Sequence, residues 1–178
     1  VEGLDATISL AGISISGISQ MVCGFLIARL LKRKNPGIRI VMGGAFLPYI
    51  QDTLLRHNRY PEVDFFVIGE GETSLYRLIE SVEEQKNPID VPHLLYAVPD
   101  GRYQMTSSQW TEDVNLLPLP DYSALPLGSY FLEPQMMPYL SSRGCYWNRC
   151  SFCSQSCNYG SRYRAREIDR VIEDLTEI

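Results

Sequence analysis

No stretch of this 178-residue chain approaches the eighteen or so uninterrupted apolar residues that a membrane span requires, and no charged leader precedes an apolar run with a small-residue cleavage site. The sequence reads as soluble and cytoplasmic, with no membrane partner. An excess of basic residues is also missing. Sixteen Lys and Arg stand against 21 Asp and Glu, a net charge of -5, which is the wrong sign for a chain that lives on phosphate backbones. Nucleic acid is therefore not the expected partner. Nor does the chain have the dispersed, even set of cysteines of a secreted disulfide framework. It has five, four of them between positions 145 and 157, a pattern that suits reduced thiols and a metal centre. With 45% apolar residues, a core forms without covalent staples. An initiator methionine is absent too, and "REIDRVIEDLTEI" closes the chain inside a helical pattern, so the sequence reads as a fragment of a longer protein.

What is present begins with alternating units. "ATISLAGISIS" (Ala6 to Ser16) reads as a buried strand, and "SQMVCGFLIARLLKRKN" (Ser19 to Asn35) spaces its apolar residues by three and four and ends on basic side chains, as a helix does. "IRIVMGG" (Ile38 to Gly44) is a second strand, followed by a helix around "YIQDTLLRH". "DFFVIGEGE" (Asp64 to Glu72) repeats the pattern, with "TSLYRLIESVEEQK" as its helix. Three such units predict an α/β fold, a doubly wound parallel sheet with helices on its faces. Ligands of such sheets bind beyond the carboxyl ends of the strands. Those ends carry Ser14 and Ser16, then Gly43 and Gly44, then Gly69, Glu70, Gly71 and Glu72.

After Pro92 the pattern changes. "LLYAVPDGRYQMTSS" has two short apolar runs around an Asp-Gly turn, a hairpin signal. The segment that follows is rich in proline (Pro118, Pro120, Pro126, Pro134) and suits an extended linker packed over a surface. "MMPYLSSRG" then reads as a strand running into the cysteines, with a helix from about Arg166. The expected division is an α/β domain at 1–92, hairpin and linker at 93–136, and a new strand-loop-helix unit at 137–178.

Cys145, Cys150 and Cys153 are spaced C-x4-C-x2-C, with Phe152 directly before the third. Thiols this close could hold zinc, pair as a disulfide, or bind iron and sulfide. Three thiolates on a short loop can wrap one corner of a 4Fe-4S cubane and leave its fourth iron open to a small ligand. Cys157 could instead complete a four-thiolate zinc site, although structural zinc more often joins two knuckles well separated in sequence. Cys23 falls on the apolar face of a helix and reads as buried packing. The arginines at 143, 149, 162, 164, 166 and 170 surround the loop, either balancing charge there or forming a solvated face.

The cysteine segment resembles the radical S-adenosylmethionine superfamily, whose usual spacing is C-x3-C-x2-C with an aromatic before the last cysteine; this chain has one extra residue between Cys145 and Cys150. The strand ends "GISIS", "VMGGAF" and "VIGEGE", with "LPLPDYS" leading into "SRGC", are similar to the cobalamin-binding subgroup of that superfamily, over nearly the whole chain. The resemblance implies a partial Rossmann-like cobalamin domain, a linker, and the first strand-loop-helix of a (β/α) barrel. It implies a 4Fe-4S cluster on Cys145, Cys150 and Cys153, and S-adenosylmethionine cleaved to a 5'-deoxyadenosyl radical, with the Phe152 backbone near adenine. Without the resemblance Phe152 reads as a core ring beneath the loop. It further implies that cobalamin is bordered by Ser14, Ser16, Gly43, Gly44 and the loop from Gly69 to Glu72, which otherwise read as simple turns. Methyl transfer to an unactivated carbon is the family chemistry expected, on an unknown small-molecule or peptide substrate, with an electron donor such as flavodoxin or ferredoxin.

The D-x-H-x-x-G motif of many cobalamin domains is missing, since neither His57 nor His93 has that context; both read as ordinary surface or loop histidines. Two other classes stay open, a zinc-stabilised binding module and a cobalamin-binding or sensory domain without catalysis. The fragment is not expected to turn over by itself.

Overall fold

Strand and helix alternate from the first described element. The structure, a computed structural model, describes residues 7–57, 60–129, 137–153, 158–160 and 162–178. It divides into two compact units, one running to Thr111 and a second starting at Glu112, with Asn158 and Tyr159 grouped in the first.

In the first unit, β1 (Leu10–Ser14), α1 (Ile18–Lys34), β2 (Arg39–Gly43), α2 (Leu47–Arg56), β3 (Phe65–Val67) and α3 (Glu72–Glu83) follow one another. β1, β2 and β3 are parallel neighbours. β4 (Leu94–Ala97) and β5 (Tyr103–Met105) form the expected hairpin, with Gly101 at φ +83° in its turn, and add antiparallel to β3. The sheet order is β1-β2-β3-β4-β5, so the hairpin is part of the sheet and not of a linker.

Side chains of β2 alternate between two cores. Ile40 and Met42 join Phe66, Leu95 and Ile15 with Ala28 and Leu31 of α1 and Leu47 and Leu54 of α2; Val41 joins Phe65, Val67 and Leu94 with Leu78 of α3. Helices therefore cover both faces, the doubly wound arrangement that the period-2 runs predict.

Two local expectations change. Among the described strands β1 lies at one edge of the sheet, and it is only partly buried where a buried strand was expected. Cys23 is exposed, because α1 turns Gly24, Ala28 and Leu31 to the sheet. The helix is apolar nearly all round, with Ile18, Val22 and Leu26 also exposed, so periodicity could not choose its inner face. Closeness chooses it: a Cβ on Gly24 would meet Ile15 Cδ1 at 2.6 Å.

In the second unit, β6 (Ser142–Arg143) pairs antiparallel with β7 (Arg164–Ala165), and α4 (Ile168–Glu177) follows. The strand expected through 136–144 shrinks, among the described residues, to β6. The stretch from Glu112 to Leu117, leading into the proline-rich segment, is tied to Arg164, Arg166 and Glu167 near the start of α4. Arg164 donates to the Glu112 carbonyl at 2.6 Å, Arg166 to the Leu117 carbonyl at 3.2 Å, and the Glu167 amide to Asn115 Oδ1 at 2.7 Å. Among the described residues no helix is long and apolar enough to cross a membrane.

Candidate functional site

Parallel pairing brings three strand ends to one row. Ser14 pairs with Gly43, and the β2–β3 register carries on from Met42 opposite Phe66. The turns above this row are held by backbone bonds: Ile15 N–H to the Gly43 carbonyl at 2.8 Å, Phe46 N–H to the Ile15 carbonyl at 3.0 Å, and Leu75 N–H to the Gly71 carbonyl at 2.7 Å. Ser16 N–H donates to Gln20 Oε1 at 2.7 Å. Ser14, Ser16, Gly43, Gly44, Gly69, Glu70, Gly71 and Glu72 thus share the carboxyl end of the parallel strands, Glu72 opening α3.

The paired glycines do different jobs. Gly44 has φ +108°, and a Cβ there would lie 2.5 Å from the Ile15 carbonyl oxygen and 2.6 Å from its nitrogen, so the fold itself demands glycine. At Gly43 a Cβ would meet only Val67 Cβ, at 4.0 Å, and at Gly71 only Val67 Cγ1, at 3.7 Å. Neither neighbour forbids a side chain. A strand end lined by bare backbone that the fold does not require is a cradle in which a bulky ligand can meet main chain directly.

From the sequence His93 reads as an ordinary surface or loop histidine. It has φ +53° and begins the antiparallel β4, so it stands on the same end of the sheet, where its carbonyl accepts from Ile68 N–H at 2.9 Å. Its Nε2 lies 2.6 Å from the Trp110 carbonyl and 3.1 Å from the Trp110 amide nitrogen. It is a loop histidine, as expected, and it pins the segment leaving the hairpin. His57 is exposed at the end of α2.

The cysteine loop belongs to the second unit. Cys145 is half-buried, Cys150 and Cys153 are exposed, and all three are free thiols. Cys157 lies outside the described residues. Two residues with left-handed backbone bound the first part of the loop. Gly144 has φ +80° and packs so closely on Arg162 that a Cβ would overlap its carbonyl; Asn148 has φ +42°. The Asn148 amide donates to Cys145 Sγ at 3.5 Å, and the Cys153 amide donates to the Cys150 carbonyl at 3.2 Å. Phe152 is 89% exposed, so it is not a core ring.

Among the described residues no three Cys, His, Asp or Glu side chains are gathered closely enough to hold a metal ion. The thiols share one loop without forming a finished cage. Their donor chemistry fits an iron-sulfur cluster: three free sulfurs within nine residues.

A buried ion pair joins the residue after β7 to α4. Arg166 meets Asp174 at 2.5 Å, Tyr139 OH donates to the same carboxylate oxygen at 2.7 Å, and Arg170 Nε lies 3.1 Å from the other oxygen. Burial, then the bond to Asp174, pushes the Tyr139 phenol above its usual pKa. Arg164, Arg166 and Arg170 are therefore structural, while Arg149 lies 5.8 Å over the Trp147 ring.

No protein-family model matches the chain. It is 29% identical over 161 residues to an uncharacterised methyltransferase of Pyrococcus horikoshii, covering 89% of this chain and 34% of the relative. To the hopanoid C-3 methylase of Methylococcus capsulatus it is 30% identical over 155 residues, 85% of this chain and 29% of that protein. The chain thus spans about a third of the curated relatives it matches. Its fold matches the cobalamin-dependent S-adenosylmethionine radical enzyme OxsB, solved with aqua-cobalamin and S-adenosylmethionine, at a TM-score of 0.76 and 22% identity over 96% of this chain and 23% of that one. It also matches the radical S-adenosylmethionine methyltransferase TsrM of Kitasatospora setae, solved with cobalamin and a 4Fe-4S cluster, at a TM-score of 0.73 and 19% identity over 95% of this chain and 35% of that one. By fold the chain matches part of cobalamin-dependent radical S-adenosylmethionine enzymes, and by sequence it is similar, along most of its own length, to part of a methyltransferase and of a methylase.

Proposed function

We propose that this chain is the cobalamin-binding half-domain and cluster loop of a radical S-adenosylmethionine methyltransferase. The observation that carries the reading is the set of three free thiols, Cys145, Cys150 and Cys153, on one loop between β6 and β7. The methyltransferase names of the relatives support the reaction class.

In this reading Cys145, Cys150 and Cys153 would hold a 4Fe-4S cluster. When bound, the cluster would supply an electron for reductive cleavage of S-adenosylmethionine, and cobalamin would supply a methyl carrier. The chain's own residues bind and orient. Gly144 lets the loop leave β6 against the Arg162 backbone. Phe152, exposed beside Cys153, offers its backbone to adenine. Ser14, Ser16, Gly43 and the Gly69 to Glu72 loop offer small side chains and main chain to the cobalamin, while Gly44 keeps that loop in shape. A one-electron donor of flavodoxin or ferredoxin type serves the cluster, and reduced thiols suit the cytoplasm.

Anaerobic reconstitution with iron and sulfide tests the cluster, and hydroxocobalamin titration followed by visible absorption tests the corrin site. About four irons and four sulfides per chain are expected. Stoichiometric zinc without sulfide overturns the cluster reading and favours a zinc-stabilised module. Iron and sulfide without cobalamin binding at tens of micromolar removes cobalamin alone.

A further inference from the structure

Four residues separate Cys145 from Cys150, one more than the usual spacing. Tyr146 and Trp147 form a bend, and Asn148 after them has φ +42°, in the left-handed region. Asparagine is among the few non-glycine residues that enter that region readily, whereas β-branched residues are strongly disfavoured there. The turn also aims the Asn148 amide at Cys145 Sγ, 3.5 Å away. On either side of it, the Arg149 guanidinium folds back over the Trp147 ring at 5.8 Å. The left-handed residue thus coincides with the N–H to sulfur bond and lies between two side chains that meet.

We infer that Asn148 is a positioning residue for the cluster: its left-handed backbone absorbs the additional residue of the C-x4-C spacing and presents its amide to the Cys145 sulfur. The inference rests on the cluster reading above. A bound cluster gains negative charge on its sulfurs when reduced, and an N–H dipole directed at a ligating sulfur favours that reduced form. The Asn148 amide then raises the reduction potential, and losing its alignment lowers it. The Asn148 side chain is not required for this, so glycine, which adopts the same φ freely, should serve equally well.

The test compares the 178-residue chain with Asn148→Gly, Asn148→Ala and Asn148→Val after anaerobic reconstitution. Iron and sulfide are counted, and the midpoint of the cluster is read by electron paramagnetic resonance during reductive titration. Asn148→Gly is expected to match the wild type in both. Asn148→Val is expected to lose about half or more of its iron, because its side chain opposes φ > 0, and the cluster that remains should titrate at a more negative midpoint. Circular dichroism reports folding; if Asn148→Val does not fold, Asn148→Ala, which opposes the turn less, is judged by the same midpoint shift. Equal iron and equal midpoints across the folded variants overturn the inference, as does a loss in Asn148→Gly as large as in Asn148→Val. A wild type that takes up no iron and sulfide overturns the cluster reading itself, a distinct outcome.

Discussion

The Asp174 carboxylate accepts a hydrogen bond from the Arg166 guanidinium at 2.5 Å, with side chains 1% and 5% exposed. Arg166 directly follows β7, and Asp174 lies in α4, so the pair fixes the helix against the base of the cysteine loop. Breaking one member of a buried ion pair leaves the other charge uncompensated, at a cost of about 3–5 kcal/mol. Asp174→Ala also strips Tyr139 OH and Arg170 of their partner. Urea denaturation should show the second unit destabilised by that order. A midpoint unchanged from wild type would mean the pair contributes nothing net.

Gly43 and Gly44 should respond differently to alanine. Gly44→Ala places a Cβ into the Ile15 backbone at φ +108°, so loss of folded protein is expected. Gly43→Ala meets only Val67 Cβ at 4.0 Å, and its thermal midpoint should stay near the wild type. If cobalamin uses that bare backbone, Gly43→Val should weaken hydroxocobalamin binding roughly tenfold to a hundredfold, the effect of a clash of about 1–3 kcal/mol. Unchanged affinity in folded Gly43→Val would remove this glycine from the corrin site.

Tyr103 OH lies 2.7 Å from both the Tyr60 and the Val63 carbonyl oxygens, which share its single proton. Burial first, then the charges of Asp64 and Glu62, push its phenol pKa well above the ordinary value. The folded state therefore holds this proton more tightly than the unfolded chain does. The resulting stability is complete below the unfolded pKa of about 10 and declines as pH rises beyond it. Tyr103→Phe should cost about 1–3 kcal/mol at pH 8 by removing the buried hydroxyl's hydrogen bond, the Tyr60 carbonyl keeping the Val63 amide, and the gap to wild type should narrow above pH 10. A gap that is constant through pH 11, read by urea titration, would contradict the assigned shift.

The strand-helix order and the row of glycine-rich strand ends were legible in the sequence because period-2 runs, period-3.6 runs and glycine pairs each carry their own signal. Cys23 was misread because α1 is apolar on several sides, and its inner face is chosen by Gly24 fitting against Ile15. That is a packing fact which periodicity does not encode. The two glycines at the end of β2 looked alike, and only the backbone separates Gly44, held by Ile15, from Gly43, which is free of such contact. In the cysteine loop the spacing and the chemistry of the thiols were readable. The turn at Asn148 was signalled only by an asparagine within the lengthened spacing, and the roles of Arg164 and Arg166 depended on partners about fifty residues away.

Exposed Cys23 makes a control. Its replacement by Ala touches no buried contact, so stability should change by no more than about 0.5 kcal/mol and iron uptake should not change. Iron loss in Cys23→Ala would show that thiols outside the loop take part.

The central claim is that Cys145, Cys150 and Cys153 together bind one iron-sulfur cluster. Its most direct measurement is iron and sulfide per chain after anaerobic reconstitution, in the wild type and in Cys145→Ala, Cys150→Ala and Cys153→Ala, with folding checked by circular dichroism. The account predicts about four of each in the wild type and loss of the cluster in each folded single variant. Zinc without sulfide in the wild type, or folded variants that keep the wild-type iron and sulfide, would contradict it.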